Sequence, residues 1–396
     1  CAATAGLCVF ARRFRIPNRP FYPVAMQISL FPLLFTLASV ALAQPPPAKP
    51  SPEILPDHRV TFRIAAPKAS DVTLTCDWQS GAQKLEKGAD GVWSLTVGPL
   101  APSSYIYSFT VDGVAMADPI NPRIKLRART SASIFEVPAD GGPNEQEVRD
   151  VPHGSVDMNW QKATALGGET RQVWVYTPPG YTQETAKRYP VLYLFHGTND
   201  RPNGWIDVGN VNVIADNLIA EKKMVPMLIV MPYGHALPYG ERTQGGRNNT
   251  TAFDDYLLKD VIPLVEGKYR TAAGRDNRAL SGFSMGAEQS LYIFFHHLDQ
   301  FASIGAMAPS GYRAIATDHA ALLADSAGTN AKIRVLWVGC GRLDPQHFNG
   351  SQQLVDALTA HQITHSWHPV DGGVHNHTFV RGQLLEFLPL LFRSGQ

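Results

Sequence analysis

With 396 residues, 44% of them hydrophobic and 17% charged, the chain is long enough for one large or two medium domains and has a globular composition, not a disordered one. Lys and Arg number 35 against 34 Asp and Glu, a formal charge of +1, so the balance points to neither nucleic acid nor an anionic membrane surface as a partner.

Residues 1–43 are expected to lie outside the fold. Ile28–Ala43 is an apolar run too short for a comfortable membrane span, and it ends in the small-x-small signal Ala41-Leu42-Ala43. A secretory signal peptide is the expected reading, with an uncleaved membrane anchor as its alternative. Met26 is then the expected start, and residues 1–25 an upstream over-extension. No membrane contact is expected after signal cleavage, and a secreted or periplasmic location follows. Residues 44–57 are Pro-rich and read as a solvated linker. Cys76 and Cys340 fall in different predicted domains without metal-ligand spacing, which predicts buried free thiols.

Across 58–138, apolar and polar residues alternate with period 2. Val60, Phe62 and Ile64 form one such run; Val72, Leu74 and Cys76 a second; Trp93, Leu95 and Val97 a third. Tyr105, Tyr107, Phe109 and Val111 form a fourth, and Ile134–Val137 a late strand. Turn clusters such as Asp112-Gly113 separate them, so a small all-β, immunoglobulin-like sandwich is predicted. The 139–164 stretch, opening on PADGGPN at 138–144, reads as a linker.

From 165 to 396 strands alternate with helices. Arg171–Thr177, Val191–Phe195, Met227–Met231, Phe301–Met307 and Ile333–Val338 are predicted strands; Ala215–Glu221 and Gln352–Ala360 are predicted helices. Phe253–Tyr269 has helical spacing with a kink expected at Pro263. The pattern predicts an α/β fold, a doubly wound, mostly parallel sheet with helices on both faces. Uniformly apolar strands such as Val191–Phe195 belong at the centre of such a sheet.

Within this half, Gly282-Phe283-Ser284-Met285-Gly286 falls between the strand ending near Leu280 and an apolar helix from Ala287. A Gly-x-Ser-x-Gly in that context is a nucleophile elbow, a sharp turn that strains the serine and exposes its Oγ. Partners are required downstream in the order acid, then His. Asp344 follows the Val335–Val338 strand, at the end where α/β sites assemble, although an Asp there can also simply cap a helix. For the base, His375 follows the Gly372-Gly373 pair closely and is preferred, with His377 as the fallback. A His-x-His pair can also hold a surface metal, but no carboxylate–His cluster elsewhere supports this. Met285 N–H, immediately after the nucleophile, is one expected oxyanion donor. The second is expected from the His196–Asp200 loop, with Thr198 chosen and Gly197 next. Trp205 and the irregular 233–252 loop are expected to border the pocket, where aromatics could stack on a phenolic ring or a sugar face. The alternative is that Trp205 packs under its own loop.

Taken together, DVPHGSVDMNW (150–160), VWVYTPPGY (173–181), YPVLYLFHGTND (189–200), the 215–236 stretch, LSGFSMG (280–286) and GGVH before Phe379, Arg381 and Leu384 resemble the secreted esterases of carbohydrate esterase family 1. That family includes feruloyl esterases, acetylxylan esterases and enterochelin-esterase-like proteins. Residues 58–137 resemble the early-set, carbohydrate-binding family 48 type of module. The resemblance implies an α/β-hydrolase with nucleophile, acid and base on Ser284, Asp344 and His375. It also implies no cofactor or metal, and an ester-substituted plant polysaccharide or oligosaccharide as partner. Two positions depart from the family pattern: Ala287 replaces a common glycine, and His377 replaces a common aromatic.

Overall fold

The computed structural model describes residues 49–241, 243–244, 247–310 and 315–393. The expected signal segment and residues 44–48 of the Pro-rich linker lie outside the described residues. Among the described residues, no helix is long and apolar enough to cross a membrane.

The first part of the chain folds as two antiparallel sheets. One orders Glu53–Ile54, Val60–Ala65, Val92–Val97 and Glu86–Lys87; the other orders Gln83–Lys84, Val72–Cys76, Ser103–Val111, Ser131–Val137 and Ile124–Leu126. Their inward residues are those that the alternation singled out. Phe62 and Ile64 from the first sheet meet Leu74, Tyr107, Phe109 and Phe135 from the second in one buried cluster. The Phe62 ring lies 4.7 Å from that of Tyr107 and 5.4 Å from that of Phe135. Cys76 and Cys340 are free thiols; Cys340 is buried as expected, whereas Cys76 is only half-buried.

The second part is built on one eight-stranded sheet. We number its strands β1 (Ser155–Ala163), β2 (Glu169–Thr177), β3 (Val191–Phe195), β4 (Leu228–Pro232), β5 (Arg278–Phe283), β6 (Ser303–Met307), β7 (Val335–Gly341) and β8 (Ser366–Val370). Their spatial order is β1-β2-β4-β3-β5-β6-β7-β8. The β1–β2 and β2–β4 pairs are antiparallel and the rest parallel. Successive residues of each central strand face opposite sides, and both sides are buried. Tyr193, Phe195 and Leu280 join the cluster under Leu291, Phe294 and Phe253, whereas Leu192, Leu194 and Ala279 join the one under Ile214, Leu218, Leu384 and Phe387. Helices therefore cover both faces, which is why the central strands read as unbroken apolar runs.

Besides shifts of a few residues at the ends of several helices and strands, the structure differs from the sequence reading in three places. The 139–164 linker is only partly a linker, because Ser155–Ala163 forms edge strand β1, paired along its whole length with β2. Glu53–Ile54, assigned to the 44–57 linker, pairs with Val60 and Thr61. The Phe253–Tyr269 helix begins at Asn249 and widens to a π turn at Leu257–Val261, just before Pro263. Proline has no N–H to give to the preceding turn, and a widened turn accommodates its ring.

Candidate active site

Strand β5 ends at Phe283, and the Met285–His296 helix begins two residues later. Ser284 occupies that corner with φ 55° and ψ −117°, a conformation that side-chain-bearing residues rarely adopt. Its N–H is held by the Met307 carbonyl at 2.9 Å on the neighbouring strand. Both glycines of the motif are needed for space. A Cβ on Gly282 would lie 2.3 Å from the Gly286 backbone, and one on Gly286 would lie 2.2 Å from the Phe195 carbonyl oxygen. The corner is thus wedged between strand, helix and the neighbouring β3. At the start of this 12-residue helix, Met285 N–H has no intrahelical acceptor, so it is free to meet developing negative charge.

Asp344, at the end of β7, is buried, and its carboxylate is shared by two imidazoles. His375 Nδ1 lies 2.5 Å from Oδ2 and His347 Nδ1 lies 2.9 Å from Oδ1. Burial by itself would raise this carboxyl, but the hydrogen bonds from His347 and His375 outweigh it and hold the group well below the ordinary carboxylate range. The two rings stack at 3.9 Å with 10° between planes, and the opposite face of His375 has Phe283 at 4.4 Å. The His375 ring is therefore fixed in plane and in tautomer, with Nδ1–H toward Asp344 and Nε2 left for the cavity. Ser284 and His375 line the same cavity, of about 260 Å³. The three donors Asp344, His347 and His375 also lie close enough together for a metal, but both carboxylate oxygens are already engaged by the imidazoles.

His377 goes elsewhere. Its Nε2 is 3.1 Å from Asp200 Oδ2 and 3.3 Å from Lys125 Nζ, and its side chain is 12% exposed. Asp344 is thus bonded to the preferred histidine, not to the fallback.

The His196–Asp200 loop borders the same cavity and is pinned from two sides. His196 Nδ1–H donates to the Gly197 carbonyl at 2.8 Å, while Nε2 accepts Gly234 N–H at 2.9 Å. His235 Nε2–H donates to the Thr198 carbonyl at 2.6 Å, and Arg171 in turn donates to the His235 carbonyl. Gly197 lies directly against the serine, since a Cβ there would come 3.5 Å from the Ser284 Cβ.

Trp205 is corrected. It is 3% exposed and packs with Leu192, Leu194 and Ile214 beneath the sheet, so its ring belongs to the core and not to the pocket wall. A short turn of helix, Gly204–Asp207, carries the indole inward, where its large apolar area is removed from water.

Groups that sequence reasoning missed come largely from the β-sandwich. Asp77, Ile106, Lys125 and Arg127 line the Ser284 cavity. Asn376, next to His375, caps the His377–Phe387 helix through Phe379 N–H and donates its amide to the Asp77 carbonyl at 3.0 Å. Ser103 bonds Thr378 at 2.8 Å and receives Arg381. Lys125 Nζ is 2.7 Å from Asp200 Oδ2, inside the interface between the two parts. His347 was also missed, although its place three residues after an acid at a strand end offered a signal.

The buried imidazoles predict a pH effect on stability. Burial, the largest cause in both, pushes His196 and His377 down to about 4. In the unfolded chain both would titrate near ~6.5. Between those values the unfolded state holds more protons, so stability is complete above about pH 6.5 and is lost as pH falls toward 4. Urea midpoints measured at pH 7, 5.5 and 4.5 should fall steadily. A flat profile would mean that these rings titrate in the folded protein as they do in the unfolded chain.

Comparison with known proteins gives the same picture. Residues 163–391 match the family model Esterase, described as "Putative esterase". An endo-1,4-beta-xylanase/feruloyl esterase of Xylanibacter ruminicola is 28% identical over 323 residues, covering 79% of this chain and 42% of the relative. This chain therefore spans less than half of that relative's length. Among solved structures, the enterobactin esterase of Shigella flexneri superposes with TM-score 0.63 at 18% identity, covering 84% of this chain and 92% of that one. A CE1 ferulic acid esterase from Anaeromyces mucronatus superposes with TM-score 0.53 at 22% identity, covering 65% and 98%. Residues 163–391, more than half of the chain, match that model, and the chain belongs to the esterase family.

Proposed function

We propose that this protein is a secreted serine esterase that removes feruloyl groups, or failing that acetyl groups, from plant cell-wall xylan. One observation carries the mechanism. A serine strained at the head of a helix shares a cavity with an imidazole whose other nitrogen is bonded to a buried carboxylate. Ser284 Oγ attacks the ester carbonyl carbon as its proton passes to His375 Nε2, and ionised Asp344 stabilises the imidazolium. Met285 N–H and Thr198 N–H, with Gly197 as the alternative to Thr198, receive the oxyanion. Collapse of the tetrahedral intermediate breaks the C–O bond and the alcohol leaves with the His375 proton. Water, deprotonated by the same ring, then releases the acid and restores the serine.

The xylan reading draws on the relative named a xylanase/feruloyl esterase and on the ferulic acid esterase neighbour. Export rests on the 28–43 apolar run and its Ala-Leu-Ala ending; N-terminal sequencing of protein from the medium or periplasm should start at Gln44. The deciding assay sets methyl ferulate against 4-nitrophenyl acetate. Because 4-nitrophenolate leaves far more readily than methoxide, a kcat/KM on methyl ferulate that merely matches that on 4-nitrophenyl acetate would already fit a pocket built for a phenolic acyl group; methyl ferulate left untouched while acetylated xylan is deacetylated would move the reading to acetylxylan. One observation favours a second substrate: the enterobactin esterase superposes over 84% of the chain against 65% for the ferulic acid esterase, so a siderophore triester belongs in the same panel. A third reading, a silent carbohydrate-binding protein, is tested by labelling with a fluorophosphonate, which an activated Ser284 should accept.

A further inference from the structure

Outside the Ser284 cavity lies a second depression of about 400 Å³ between edge strand β1, the start of β2 and the loop after β4. Its lining includes Trp160, Glu169, Arg171, Arg201, Tyr233 and Tyr239. Trp160 stands opposite Gln172 in the β1–β2 register and is 59% exposed. Its indole has no ring, cation or hydrogen-bond partner among the described residues, an unusual situation for so large an apolar side chain. Tyr233 is flanked by two guanidinium groups, Arg171 at 5.6 Å and Arg201 at 5.9 Å from its centroid. Arg171 is 8% exposed and fixed by the His235 and Ala236 carbonyls and by Glu169, yet its Nε is buried without a partner. The linings of the two cavities meet at a hydrogen bond. Tyr239 O–H donates to Asn199 Oδ1 at 2.5 Å, and Asn199 lines that cavity.

A solvent-facing indole beside planar polar groups on fixed backbone suits a pyranose. The C–H face of the sugar covers the ring, while its hydroxyls meet guanidinium, carboxylate and amide edges. Glu169 offsets the charge of Arg171, so the positive charge of the lining residues named above comes from Arg201. We propose that this depression binds pyranose units of a polysaccharide main chain, with Trp160 as the stacking platform, so that an ester-bearing branch reaches across the Tyr239–Asn199 wall to Ser284. Only the placement of the branch rests on the esterase reading; the sugar site does not.

The test is calorimetric titration of xylohexaose into the wild-type protein and into Trp160→Ala and Trp160→Phe, with light scattering on each. Trp160→Ala should weaken binding at least about tenfold and Trp160→Phe less, as expected for the loss or shrinking of a stacking surface. The ratio of kcat/KM on feruloylated arabinoxylan to that on methyl ferulate should fall by a similar factor in Trp160→Ala. Sugar binding that depends on Trp160 in a protein that turns over neither ester would support the site and sink the feruloyl esterase reading. Equal affinity in wild type and Trp160→Ala, or no wild-type binding at millimolar sugar, would overturn the site. So would a change in oligomeric state with unaltered sugar affinity, because the exposed edge would then be a contact between copies.

Discussion

Replacing Ser284 with alanine should lower kcat/KM on 4-nitrophenyl acetate by at least about a thousandfold with no comparable loss of stability. The serine is held at positive φ whether or not it carries Oγ, so alanine inherits the same backbone and the same packing. On the proposed mechanism only the nucleophile is then lost; the helix terminus and the 196–200 loop persist, which leaves a residual rate above that in water. Glycine at this position separates strain from chemistry. It should be as inactive as alanine yet more stable by roughly 1 kcal/mol, since a strained non-glycine residue costs about 1–3 kcal/mol and glycine gives part of that back in chain entropy. An enzyme that becomes more stable as it loses activity is holding strain for function. His375→Ala should resemble Ser284→Ala, and the double variant should be little worse than either, because the two groups act in one proton transfer. Ester hydrolysis retained in Ser284→Ala would place the nucleophile elsewhere.

Much of this site was legible because its signals are local. The elbow needs glycines within two residues of the serine, and the close approaches at Gly282 and Gly286 are the reason. Asp344 lies just after a predicted strand, at the end where parallel strands deliver their loops, whereas His375 was found from the glycine pair before it, strand β8 not being among the predicted strands. What escaped is non-local. Asp77 and Asn376 are 299 residues apart and Lys125 and Asp200 are 75 apart, and no spacing rule connects a sandwich lysine to a hydrolase loop. Edge strand β1 was read as linker because one of its faces is open: Met158 and Trp160 are exposed, so the stretch lacks the apolar run of the central strands. Trp205 was misread for the opposite reason. An aromatic just after a catalytic-type loop looks like a pocket wall, and only the turn of helix that carries it decides that the ring points inward.

Lys125→Met should destabilise the protein by about 3–5 kcal/mol and reduce activity on every ester, although Lys125 belongs to the sandwich. Its ammonium is buried 2.7 Å from Asp200 Oδ2. Burial alone would raise the Asp200 carboxyl; Lys125 is the main group that reverses this and keeps it below the ordinary carboxylate range. Asp200 in turn closes the loop that lies against Ser284. Its N–H bonds the Gly197 carbonyl at 3.0 Å, and its Oδ1 accepts Arg201 N–H at 2.8 Å. Methionine keeps much of the side-chain length and removes the charge, leaving a buried carboxylate beside a neutral His377 without its cation. That carboxylate must then protonate, draw a proton onto His377, whose pKa is lowered by burial and also by Lys125 itself, or draw in water, and each response shifts the loop expected to supply the second oxyanion donor. Lys125→Met combined with Asp200→Asn should recover a large part of the lost stability, because no charge is then left unpaired. Urea denaturation of the two single variants and the double variant gives the coupling directly, and a value near zero would show that the pair contributes nothing across the interface. A large coupling with falling kcat would mean that the two parts of the chain share one active site, and that the hydrolase domain cut free of its sandwich would lack the cation that sets its own loop.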